Sequence, residues 1–165
     1  MYFKYLRYIA RHKWYVFVEC CKLGIPWRGF IHDWHKLLPS EFAPYVKHFY
    51  GNLPKWDEVN HAMPTYSYRN TKEGNKKRFD FAWLLHQKRG KHHWQWWILR
   101  EDDGDYKVFP MPDNYRKEML ADWRGAGRAI TGKDDTVNWY QANKDKMILH
   151  ERTREWIEAQ LGIEG

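Results

Sequence analysis

The chemistry in this sequence gathers at Phe30-Ile31-His32-Asp33-Trp34-His35-Lys36. Consecutive imidazole and carboxylate side chains are an economical way to hold a divalent metal and share it with a second one. The other candidates are His12, His86, the pair His92-His93, and Asp122. Each falls on an expected helix or helix edge. His12 and His86 share their stripe with apolar residues. A buried imidazole or carboxylate without a partner is costly, and a shared cation accounts for several of them in one small domain. Imidazole plus carboxylate suits Mn, Fe, Co, Ni or Zn better than Ca. With no thiolate in the set, a structural zinc site is not indicated.

Those groups need helices to aim them. Residues 3–23 read as a first helix, with Tyr5, Tyr8, Ile9, His12, Val16 and Glu19 on one stripe, stopped by Gly24 and Pro26. A short helix is expected over Trp27–Lys36, and a third from Pro39 to Tyr50 with Ser40 as N-cap and Gly51 as terminator. Residues 52–74, rich in Pro, Asn, Gly, Thr and Ser, read as a long surface excursion that could act as a lid. His61 and His48 are expected at the surface. Helical periodicity returns over 76–88, where His86 shares a face with Phe79, Ala82 and Trp83. Ile98 to Phe109, with Asp103-Gly104 at its centre, reads as a small β-hairpin.

Asp113 is the expected N-cap of a helix to about Ile130 that presents Glu118, Met119, Asp122, Gly125 and Ala126 along one face. Its small residues suit close helix packing. Two further helices are expected over 136–144 and 151–161, with Trp139, Tyr140, Trp156, Ile157 and Leu161 inward. The sum is an all-α fold with one minor hairpin, in a single domain spanning 1–165.

Composition narrows the partners. Net charge is +7, which favours phosphates, nucleotides or nucleic acid, and the charge is spread along the chain rather than in a basic tail. Eleven Trp and eleven Tyr exceed what such a polar chain usually carries, so some rings are expected to line a cleft or stack on bases. The only cysteines, Cys20 and Cys21, are neighbours, which is no disulfide framework and fits a reduced, cytoplasmic protein. The apolar run from Trp14 to Cys21 is too short to span a bilayer, so no membrane role is expected.

The order His, His-Asp, His, His-His, Asp resembles the HD-domain superfamily of metal-dependent phosphohydrolases, an all-helical fold in which that pair and residues on neighbouring helices bind one or two metals. His32-Asp33-Trp34-His35-Lys36 is similar to the HDxxK variant, typical of two-metal members. Nearly the whole chain also resembles an uncharacterised phage and bacterial family, through Lys36-Leu37-Leu38-Pro39-Ser40-Glu41-Phe42, His92-His93-Trp94, Ala121-Asp122-Trp123 and Gly125-Ala126-Gly127-Arg128. The resemblance implies His12, His32, Asp33 and Asp122 on one metal, Asp33 as a bridge, and His86 with His92, His93 or both on the second. The stretch Trp94-Gln95-Trp96-Trp97 departs from the HD-GYP extension, so cyclic-di-GMP hydrolysis is not implied.

The expected function is hydrolysis of a phosphoester in a nucleotide-like substrate, with one or two divalent transition metals as cofactors. Catalytic roles fall to Asp33, Lys36 and His35. Arg89, Lys91 and Arg128 are expected on phosphate, Trp94 or Trp97 on a base, and Glu41 as a group that orients a ligand. Two alternatives compete. One is a di-iron oxygenase on the same residues, and the other is a non-enzymatic phage protein that binds nucleic acid or a host protein.

Overall fold

The computed structural model describes residues 1–63 and 67–163. Among them are eight α-helices and one two-stranded antiparallel sheet, so the fold is all-α with a minor hairpin. No described helix is long and apolar enough to cross a membrane. The chain divides into two compact units: residues 1–7 with 33–89, and residues 8–32 with 90–165. The boundary falls between His32 and Asp33.

The first unit holds α3 (Pro39–Tyr50), α4 (Trp56–Ala62) and α5 (Lys72–Arg89). Pro39 opens α3 with Leu38 as its N-cap, rather than Ser40, because proline's fixed φ and missing N–H suit the first helical position. α3 packs on α5, where Tyr45 meets Phe79 at 4.9 Å, and the first turns of the chain cover α3 through Tyr5, whose ring meets Phe42 at 5.3 Å. The described part of the 52–74 stretch holds more helix than its composition suggests. α4 is pinned to the start of α5, where the Trp56 amide donates to Glu73 at 2.8 Å and the Lys72 amide to the Pro54 carbonyl at 2.9 Å. Part of that stretch, 64–66, lies outside the described residues. His61 and His48 are exposed, and His48 stacks on Phe79 at 3.9 Å.

The second unit takes most of α1 (Tyr2–Lys22), then α2 (Pro26–Ile31), the hairpin strands β1 (Ile98–Arg100) and β2 (Tyr106–Val108), α6 (Asp113–Thr131), α7 (Thr136–Asn143) and α8 (Glu151–Leu161). Its core is Met111, Met119, Leu120, Tyr140, Met147 and Ile157, sheathed by Trp94, Trp97, Trp123 and Trp156. Much of the aromatic load is thus packing. Trp139, expected inward, is 43% exposed and leans on Trp123 at 5.2 Å. α6 begins at Asp113 with Pro112, not Asp113, as the cap. Small residues do set the helix spacing. A Cβ on Gly125 would sit 2.9 Å from the Val16 amide nitrogen of α1, and one on Gly29 of α2 would sit 2.8 Å from the Phe17 Cα. The hairpin pairs Ile98 with Val108 and Arg100 with Tyr106, turning at Gly104 with φ +98°.

One expected helix is broken where it matters. Instead of running from Trp27 to Lys36, α2 stops at Ile31, His32 is extended, and Asp33 takes a left-handed backbone (φ +51°) before a 3-10 turn over Trp34–Leu37. Asp33 is the single described non-glycine residue with positive φ. Aspartate tolerates that region better than most side chains.

Candidate metal centres

In the second unit α1 supplies His12, the end of α2 supplies His32, the loop after Gly90 supplies His92, and α6 supplies Glu118 and Asp122 one turn apart. The three imidazoles are 1–2% exposed and Glu118 is 2% exposed. His12 Nε2 lies 3.2 Å and His32 Nε2 3.3 Å from the same Asp122 oxygen, Oδ1, and His92 Nε2 lies 3.9 Å from Oδ2. On the far side of the rings, His32 Nδ1 is 3.0 Å and His92 Nδ1 3.4 Å from Glu118 Oε1. Arg28 closes the other Glu118 oxygen, with Nε 2.7 Å from Oε2.

In the first unit the same plan recurs with other residues. His35 Nδ1 and His86 Nδ1 each lie 3.1 Å from Glu41 Oε2, and Arg89 Nη1 donates to Glu41 Oε1. The two Nε2 atoms then lie 3.7 Å from Asp33, His35 from Oδ1 and His86 from Oδ2. Lys36 Nζ is 2.6 Å from Asp33 Oδ2. Glu41, Asp33, His35 and His86 are all buried.

The electrostatics follow from these contacts. Burial would raise the Glu41 carboxyl, but donors on His35, His86 and Arg89 outweigh it and hold it at about 2. Burial likewise opposes ionisation of Asp122, yet His12 and His32 hold it well below the usual carboxylate range. Burial drives His86 downward, against the pull of Asp33 and Glu41, which favours its neutral ring. Cys20, buried on α1 and repelled by Glu118 and Asp122, is pushed up to about 12 and is an inert thiol.

The donor sets fit a metal. His32, His92 and Glu118 each offer an atom within 4.8 Å of the others, as do His12, His32 and Asp122, and His35, Glu41 and His86. An ionised carboxylate only accepts, so the hydrogen bond at Glu118 puts a proton on His32 Nδ1. On the other side of the ring, His32 Nε2 lies 3.3 Å from an Asp122 oxygen. A cation between them would be shared by imidazole and carboxylate. The spacing also suits one: adjacent ligands on a tetrahedral ion with 2.0–2.1 Å bonds are about 3.3–3.4 Å apart.

The remaining expected site residues are placed as follows. Of the adjacent pair, His92 reaches Glu118 and Asp122, while His93 is half-buried with its ring 4.1 Å from that of His92. Arg128, expected on phosphate, touches Glu19 and lies 3.3 Å from Asp134. Arg89 is engaged by Glu41 and Ser40. Lys91 is exposed, its Nζ 5.5 Å over the Trp96 ring. Trp94 packs on the methionine-rich core, and Trp97 Nε1 donates to the Lys91 carbonyl. Sequence reasoning missed Glu118 and Arg28 as site groups. Glu118 carried one signal, its place four residues before Asp122 on the same face; Arg28 carried none.

The profile of DUF5662, a family of unknown function, matches residues 1–163. The chain belongs to DUF5662. No match was found among curated proteins or solved structures. Within this DUF5662 chain the buried His/Asp groups have the composition of metal sites, on the geometry alone.

Proposed function

We propose that this DUF5662 chain is a metal-dependent phosphohydrolase of the HD type, acting on a nucleotide or related phosphoester. One observation carries the reading: three buried imidazoles whose Nε2 atoms lie 3.2–3.9 Å from the carboxylate of Asp122. His12, His32, His92 and Asp122 would hold a divalent transition metal in the second unit. Asp33, His35 and His86 would hold another in the first. Such an ion, when bound, would lower the pKa of a coordinated water toward ~7 and so favour hydrolysis at neutral pH.

The chain's own groups do the rest. Asp122, held ionised, would neutralise the cation, and its Oδ1 faces the Nε2 atoms of both His12 and His32. Lys36, an ammonium already beside Asp33, is the group to neutralise a phosphoryl or leaving oxygen. Exposed Lys91 would contact phosphate as a point charge, and the net charge of +7 raises the local concentration of an anionic substrate. Arg89 and Arg128 sit on carboxylates, which moves them from substrate contact to support of the scaffold.

Elemental analysis of the purified protein, followed by a nucleotide-library hydrolysis screen with Mn, Co and Fe, tests this. The expected result is transition metal in the protein and phosphate released in a metal-dependent way. Strict iron dependence with oxygen consumption would replace hydrolysis by di-iron oxygenase chemistry. Metal binding with no turnover, beside salt-dependent affinity for DNA or RNA, would move the reading to a binding protein.

A further inference from the structure

We infer that Glu41 and Glu118 are positioning residues that set the tautomer of the imidazoles they touch, so that each ring presents Nε2 for coordination. The inference rests on the metal reading above and names the groups that prepare the rings for the ion. Three hydrogen bonds carry it: His32 Nδ1 to Glu118 at 3.0 Å, and His35 Nδ1 and His86 Nδ1 to Glu41 at 3.1 Å each. A carboxylate has no proton to give, so each Nδ1 must donate. The neutral ring then carries its lone pair on Nε2, the atom facing Asp122 or Asp33.

The arginines complete the device. Arg28 occupies Glu118 Oε2 and leaves Oε1 to the rings, and Arg89 occupies Glu41 Oε1 and leaves Oε2. Each carboxylate plane is thereby fixed from behind by a guanidinium. One glutamate sets two rings in the first unit. In the second it bonds to His32 and lies 3.4 Å from His92, so His92 is the less firmly held of the four.

The test reads the rings directly. In full-length protein stripped of metal, labelled with 15N-histidine and held at pH 8, two-bond proton–nitrogen correlations report which ring nitrogen carries the proton. His32, His35 and His86 should each show Nδ1–H. Zinc titration is the second arm. Glu118→Ala should weaken binding by the ligands of the second unit about 10–100-fold. Glu118→Gln, whose amide oxygen can still accept from Nδ1, should recover part of that loss. A glutamate acting only as a direct ligand would cost affinity without fixing the ring protons in the stripped protein.

Nε2–H or doubly protonated rings in the unsubstituted protein would overturn the inference, as would a folded Glu118→Ala chain that binds zinc within twofold of the parent. If that variant does not fold, the ring spectra of the parent decide alone. Nδ1–H rings in a protein that binds no transition metal would leave the positioning intact and remove the metal reading. Tight zinc binding to Nε2–H rings would do the reverse.

Discussion

The cluster around Glu118 and the cluster around Glu41 are built to one plan from unrelated pieces of chain. In each, one buried glutamate faces two imidazoles through a single oxygen, an arginine holds the other oxygen, and an aspartate faces the opposite ring nitrogens. They differ in what else faces the aspartate. The second unit adds a third imidazole, His12, on Asp122, whereas the first unit sets the Lys36 ammonium on Asp33. Imidazole can give way to a metal by offering a lone pair. An ammonium can only compete with one for the carboxylate. The comparison teaches that equal geometry need not mean equal affinity: the second unit should load first and hold its ion more tightly.

The largest expected effect breaks that asymmetry outright. His32→Ala should abolish tight binding in the second unit, a loss of 100-fold or more in zinc titration, and His86→Ala should remove only the weaker event. A single isotherm unaffected by His32→Ala would reverse the ranking.

Gly125→Ala should come next, because its Cβ meets the Val16 backbone rather than a movable side chain. Overpacking of this kind costs about 1–3 kcal/mol, read as a lower urea midpoint. A matching change in the first unit, Gly74→Ala, meets the Tyr68 carbonyl and should act by the same mechanism.

Acid should reach the first unit through two of its buried groups. His86 has its ring proton affinity lowered by folding, so the unfolded chain takes up protons first as pH falls below about 6.5 and stability begins to drop there. Glu41, held at about 2 against an ordinary 4.5, contributes stability above about 4.5 that is lost as pH falls toward 2. Glu41→Gln should therefore lower stability at pH 7 and flatten its dependence between pH 4.5 and 2. An unchanged slope in denaturation curves would show that the carboxylate is not ionised in the fold.

Lys36→Met removes the competitor at Asp33 and should tighten the weaker binding event a few-fold while lowering any turnover. Smallest of all, Gly104→Ala strains a left-handed turn in the hairpin at a cost of about 1 kcal/mol and should leave both binding events unchanged.

Much of this was legible in the sequence, and unevenly. The His32-Asp33 pair stands out because its two ligand types are adjacent, and helical spacing placed His12, His86 and Asp122 on their inward faces. The helices over 151–161 and the hairpin were readable because caps, glycines and periodicity are local signals. Glu118 and Arg28 were not, since a carboxylate or guanidinium on a helix reads as ordinary surface charge until a partner 86 or 90 residues away is brought to it. The rings of Trp94 and Trp97 advertised ligand stacking and were used for packing, because a core of methionine leaves space that indoles fill. The break after Ile31 was hidden because nothing in Phe30-Ile31-His32-Asp33 interrupts a helical pattern; tertiary demand overrides it.

That break separates two properties that usually travel together at a ligand position. With φ at +51°, residue 33 asks for a small polar side chain as much as for a negative one. Asparagine satisfies the first requirement and fails the second, so Asp33→Asn removes charge from an intact turn, whereas Asp33→Ala would distort the turn as well. Any experiment on the role of this residue therefore has a clean neutral control already written into the backbone.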